Sequence, residues 1–110
     1  MGKAYWKNGA LTDAIDPLQR AVSLDPEHVA AHYDLGLAHV RLQRFAEARA
    51  SFARCTALDP AHVEAHYGLG LIHLQLGQKE RAQQLLQKVL ALKPDHQRAV
   101  AKLAAMAGVP

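Results

Sequence analysis

A single cysteine, Cys55, stands in 110 residues. With no second thiol there is no intrachain disulfide framework, and cysteine usage does not report a redox compartment. Aromatic residues are scarce as well, at 5%, although 50% of the chain is hydrophobic. Such an Ala/Leu-rich balance suits helices and argues against a sheet protein. No apolar run approaches the roughly 20 residues that span a bilayer. The opening stretch, MGKAYWKNGALTD, lacks the apolar centre of a secretion signal. Membrane insertion is therefore not expected, and a cytoplasmic location is the default expectation. Charge of one sign is also lacking. Thirteen Lys and Arg stand against ten Asp and Glu, leaving a net charge of +3. That is far short of the clustered basic surface of a nucleic-acid binder, so nucleic acid is not an expected partner. Acidic partners are favoured over basic ones. Finally, the chain holds no Gly-x-Gly-x-x-Gly, Walker-type, Gly-x-Ser-x-Gly, His-Glu-x-x-His or Cys-x-x-Cys sequence. Neither an enzyme nor a cofactor is expected.

What is present is a repeat. SLDP, ALDP and ALKP end at Pro26, Pro60 and Pro94, one every 34 residues, and each proline is followed two positions later by His28, His62 or His96. HYDLGLAHVRL, starting at His32, returns at the same offset as HYGLGLIHLQL, starting at His66. Within residues 29–62, Leu35, Gly36 and Leu42 have helical spacing. After a polar break (Gln43, Arg44, Phe45), Ala48, Phe52, Cys55 and Leu58 mark a second amphipathic helix. Asp59-Pro60 stops it, because proline lacks the N–H and disfavours helix in the residue before it. Residues 63–96 follow the same plan with Leu69, Gly70 and Leu76, a break at Gly77, then Ala82, Leu86, Val89 and Leu92. The organisation expected is one domain: a truncated repeat at 1–28, full repeats at 29–62 and 63–96, and a capping helix at 97–108. Gly36 is expected to face Ala48 so that the two helices approach closely. Pro17 interrupts the second helix of the first repeat. The expectation there is a kink, or a late start with Asp16 as N-cap and Pro17 as first helical residue.

The histidines raise a separate question. His28/His32 and His62/His66 are i,i+4 pairs that share a helix face. A structural zinc site needs four ligands, and each pair supplies only two. The repeat offers a plainer reason, since His28, His62 and His96 are equivalent positions, as are His39 and His73. Structural roles are expected for them, with no metal, the metal-binding histidine repeat standing as the lesser alternative. His39 and His73 are expected to pack with one nitrogen hydrogen-bonded, and Cys55 to be buried rather than nucleophilic.

With Leu35-Gly36 and Leu69-Gly70, the small residues Ala14, Ala48 and Ala82, the large residues Leu18, Phe52 and Leu86, and the terminal Pro26, Pro60 and Pro94, the chain resembles the tetratricopeptide repeat (TPR) family. The resemblance implies an all-α fold, a right-handed α-solenoid of antiparallel helix-turn-helix repeats, in which stacking neighbours supply the core. It also implies that His39 and His73 stand where the family usually has a large aromatic residue. It further implies a concave groove that binds peptides, lined by the leading helices. The groove positions carry Lys3, Trp6 and Lys7; Ala30, Tyr33, Leu37, Val40 and Arg41; Glu64, Tyr67, Leu71, Leu74 and Gln75; then Arg98 and Ala101. The expected function is a non-enzymatic scaffold holding a partner's peptide segment. Tyr33, Tyr67 and Trp6 would make the apolar contacts, with Lys7, Arg41 and Arg98 for acidic groups. One subtype of the family clamps a terminal carboxylate with paired basic residues and asparagines. Laid on this chain, its positions read Tyr33, Leu37, Gly68, Arg98 and Lys102, of which only the last two are basic, so that clamp is not expected. The alternative is self-assembly into a homo-oligomer through the uncapped N-terminal repeat, since terminal repeats need a polar outer face.

Overall fold

The computed structural model describes residues 11–108, with side chains from Ala14 onward. Among the described residues there are six helices and no strand. They are α1 (Leu11–Leu24), α2 (Val29–Arg41), α3 (Phe45–Leu58), α4 (Val63–Gln75), α5 (Lys79–Leu92) and α6 (Gln97–Met106). Their starts and ends keep the 34-residue period read from the prolines. α3 and α5 end one residue before the Xaa-Pro pair, where Asp59 (φ −136°) and Lys93 (φ −143°) are already extended, as a residue preceding proline must be. The truncated leading helix expected at the N-terminus, and with it Lys3, Trp6 and Lys7, lies outside the described residues.

The described residues fall into two compact units that divide after Pro60. In the first, Ile15 of α1 packs on Leu35 and Ala38 of α2, with Leu18, Val22 and Leu42 around them. Leu35 thus packs toward the preceding helix. α3 lies on the other side of α2, burying Ala48, Phe52 and Cys55. The atoms nearest a Cβ built at Gly36 belong to the Phe52 ring, one turn beyond the Ala48 that the pattern pointed to. A Cβ at Gly36 would meet the Phe52 ring at 2.6 Å. A large flat side chain has used the room that the glycine leaves. In the second unit Leu86, Val89 and Ala99 form the core, with Val63, Tyr67, Leu90, Leu103 and Met106 packed against it. Here Gly70 faces Leu86, at 3.1 Å from a built Cβ, and the Ala82 carbonyl, at 3.6 Å.

α1 runs unbroken from Leu11 through Pro17. The late start with Asp16 as N-cap is therefore not what forms. Pro17 forfeits one helical hydrogen bond, at a cost of about 3 kcal/mol in an undisturbed helix. Apolar burial on both sides of it, by Ile15, Leu18 and Val22, holds the helical register.

Both leading helices end in the same C-terminal motif. After α2, Gln43 N–H donates to the Val40 carbonyl and Arg44 N–H to the His39 carbonyl; after α4, Gly77 N–H and Gln78 N–H donate to Leu74 and His73. This is the Schellman arrangement, which requires a left-handed residue. Gly77 supplies it at φ +79°, and Gln43 adopts it at φ +60° despite its Cβ.

The helix starts hold a feature that the spacing did not disclose. His28, His62 and His96 are the N-caps of α2, α4 and α6. In each, the imidazole Nδ1 accepts the backbone N–H three residues on, from Ala31, Ala65 or Ala99, at 3.1 Å. One of the four unpaired N–H groups of each helix is thereby satisfied by an imidazole in place of the usual Ser, Thr, Asp or Asn.

Candidate functional site

The expected groove residues that converge are those of the second unit. Glu64 sits in the first turn of α4, and Tyr67 one turn later on the same face. Arg98 occupies the first turn of α6, the position equivalent to Glu64 one repeat on. The Arg98 guanidinium donates from Nη2 to Glu64 Oε1 at 2.7 Å, and its central carbon lies 4.9 Å from the Tyr67 ring centroid. The cation is thus held by a carboxylate and an aromatic face together. The other Glu64 oxygen, Oε2, accepts from His96 Nε2 at 3.0 Å. His96 is 4% exposed, and its ring lies against Tyr67 with centroids 4.9 Å apart. Nδ1 of His96 accepts from Ala99 while Nε2 donates to Glu64. Both bonds are made at once only by the neutral ring carrying its proton on Nε2.

Two shallow recesses flank this cluster. One, of about 270 Å³, is lined by Tyr67, Arg98, Ala101, Lys102 and Ala105. The other, of about 230 Å³, is lined by Glu64, Lys93, Asp95, His96, Gln97 and Arg98. The first joins an aromatic face and two cations to a floor of small residues that lets a ligand backbone come close. Leu71 is half-buried one turn beyond Tyr67, and Gln75 is exposed at the far end of α4. That end is roughly 16 Å from Glu64 at 1.5 Å per residue, so Gln75 takes no part in the cluster. In the first unit, Tyr33 is half-buried with its ring 5.6 Å from that of Phe52. Leu37 is half-buried and Arg41 exposed.

Sequence reasoning named Glu64, Tyr67 and Arg98 separately but missed that they form one cluster with His96. A signal was present, since Glu64 and Arg98 are opposite charges at the same repeat position. Among the described residues no three His, Cys, Asp or Glu side chains converge as a metal ion would require. His28 turns its Nδ1 to its own helix start, and His32 Nε2 donates to the Pro26 carbonyl at 2.9 Å. His73 bonds Gln78 through Nδ1, as expected. In His39, Nδ1 is buried with no partner among the described residues. Burial lowers its pKa from 6.5, Glu47 opposing and Arg44 reinforcing the shift. Cys55 is fully buried, its thiol 3.5 Å from the Val29 carbonyl. Burial, then Asp34 and Asp59, push its pKa up to about 11, so it is a packed thiol and not a nucleophile. No helix among the described residues is long and apolar enough to cross a membrane.

Comparison with known proteins places this geometry. A family model described as tetratricopeptide repeat matches residues 1–62 and again 33–96. No curated protein matches. Among solved structures, MamA is 30% identical with a TM-score of 0.87, over 97% of this chain and 63% of that one. The first such domain of Spaghetti (RPAP3), bound to the HSP90 peptide SRMEEVD, is 26% identical with a TM-score of 0.87, over 97% of this chain and 85% of that one. YrrB, described as having an unusual peptide-binding site, is 30% identical with a TM-score of 0.81, over 92% of this chain and 52% of that one. The chain therefore spans about two thirds of the length of MamA and half of YrrB. These likenesses and the described helices agree on the all-α helical-repeat class.

Proposed function

The chain belongs to the tetratricopeptide repeat family, and from that premise we propose that it is a non-catalytic interaction module that holds a peptide segment of a partner protein on its leading helices. The observation that carries this reading is the exposed pairing of Arg98 with the Tyr67 ring, beside the recess floored by Ala101 and Ala105. An aromatic with a polar tip and a guanidinium are the residue types that most often anchor a partner. A floor of alanines adds room for a backbone. Arg98 and Lys102 favour acidic side chains or a terminal carboxylate. Tyr33, Leu37 and Arg41 offer the same residue types on α2. Two similar proteins support the reading by kind: the Spaghetti domain carries an acidic peptide, and YrrB has a peptide-binding site.

Peptide arrays probed with the wild-type chain and with a Tyr67→Ala/Arg98→Ala variant test this. Wild type is expected to select peptides rich in Asp and Glu, and the variant to bind them at least about tenfold more weakly, or ~1.4 kcal/mol. Equal binding by both proteins across the array would remove the α4/α6 face from consideration.

A further inference from the structure

The cation best placed to receive an acidic ligand is already occupied. Arg98 is 65% exposed yet donates at 2.7 Å to Glu64, a residue of the same face. We propose that Glu64 is an intramolecular competitor of acidic peptides, a built-in carboxylate that holds Arg98 until a ligand carboxylate displaces it. This rests on the peptide-binding reading above and adds how that site is regulated and for what its affinity is set.

Three features make Glu64 a competitor rather than a passive neighbour. Its position is fixed twice over. Oε2 is tied to His96, a buried ring itself held by the Ala99 N–H, while Oε1 reaches Arg98. A carboxylate so tethered presents its second oxygen to the guanidinium at a high local concentration, as a linked ligand does. Next, the pair is open to solvent on the Arg98 side and only half-buried on the Glu64 side. Exchange of one carboxylate for another therefore requires no unpacking. Third, losing Arg98 leaves Glu64 its His96 bond, so it swings back when the ligand departs.

Its charge also acts on the ligand directly. The groups facing Glu64 are Arg98 and His96 of α6 and, along the same recess, Lys93 and Asp95 of the preceding turn. With Arg98 neutralised, Lys93 and Asp95 oppose one another, and Lys102 remains as the cation of the Tyr67 recess. A ligand with one carboxylate meets repulsion from Glu64 as well as attraction from Arg98. A ligand with several carboxylates engages Lys102 while it displaces Glu64. The site should therefore discriminate by number of carboxylates, not by presence of one.

Glu64→Gln is the informative variant, because the amide oxygen still accepts from His96 while the charge is gone. Fluorescence anisotropy would follow labelled SRMEEVD and a carboxylate-free control, SRMQQVN with an amidated terminus. Wild type, Glu64→Gln, Arg98→Ala and the double variant would each be titrated at two salt concentrations, with thermal melts checking the fold. The expected result is about tenfold tighter binding of SRMEEVD by Glu64→Gln, with a steeper salt dependence. The control peptide should not change, and the gain should vanish in the double variant. Unchanged or weaker binding by Glu64→Gln, with Arg98→Ala still reducing the affinity, would overturn the competitor and leave the peptide site standing. No SRMEEVD binding by either wild type or Glu64→Gln would overturn the competitor and the acidic-peptide reading together. Glu64→Ala guards against a fold defect: if Glu64→Gln melts early, Glu64→Ala must show the same gain or the proposal fails.

Discussion

Gly36 and Gly70 occupy one repeat position and read identically in the chain, yet their surroundings differ in kind. An added methyl at Gly36 meets three ring carbons of Phe52 within 2.8 Å; at Gly70 it meets the branched end of Leu86 at 3.1 Å. Phe52 is 1% exposed, so its ring has little room to retreat. An alanine in mid-helix gains about 0.5–1 kcal/mol over glycine from backbone entropy, whereas overpacking costs about 1–3 kcal/mol. The clash should win at Gly36 and roughly cancel at Gly70. Chemical denaturation is expected to find Gly36→Ala destabilised by about 1–2 kcal/mol, with Gly70→Ala within about 0.5 kcal/mol of wild type. Phe52→Leu should relieve the Gly36→Ala penalty, since it installs the residue type found beneath Gly70. Equal effects of the two alanines would show that the Phe52 ring yields freely. The Leu-Gly pairs marked the crossing correctly from sequence, but not the side chain that lies nearest to it. Which side chain fills a gap depends on where a ring of fixed shape can turn, and a pattern of small and large letters does not carry that.

At the scale of the helix, the start and stop signals were unequally legible. The prolines announced the ends of α3 and α5 because the constraint is local to the Xaa-Pro pair. The starts were hidden, since histidine is not among the usual capping residues. Only the extended backbone of His28, His62 and His96 (ψ 91° to 96°) turns Nδ1 toward the N–H three residues on. Pro17 did not delay the start of α1, because apolar burial on both sides of it holds the helix. The capping role gives a direct test at His28, which is exposed and whose ring Nδ1 bonds the Ala31 N–H. His28→Ala should lower stability by about 1 kcal/mol, or roughly 4–8 °C in a domain of this size. His28→Asp should recover that loss, because its carboxylate both accepts the N–H and suits the positive end of the helix. Alanine and aspartate variants melting at one temperature would exclude a cap at this position. His96→Ala should cost more than His28→Ala, since it also releases Glu64.

At the scale of the molecule, the two most perturbed ionisable groups among the described residues are buried on either side of the α2–α3 packing and act at opposite ends of the pH scale. His39 has a folded pKa below 6.5, chiefly because its ring is desolvated, with Glu47 opposing and Arg44 assisting. The native state therefore prefers the neutral ring. Its contribution is fully present above the unfolded value of 6.5 and is lost as pH falls through the lowered folded value. Cys55 has a folded pKa of about 11 against 9.0. Its native state prefers the protonated thiol, so its contribution is present below 9.0 and is lost as pH rises toward about 11. Thermal stability should consequently form a plateau from about 6.5 to 9.0 and fall on both sides. His39→Phe is expected to shallow the acid limb and Cys55→Ala to flatten the alkaline limb alone. Melting curves of the three proteins from pH 5 to pH 10.5 decide the matter by slope rather than height, since either substitution shifts the plateau through packing. An acid limb in His39→Phe parallel to that of wild type would mean that the buried ring between α2 and α3 does not set the lower bound of stability.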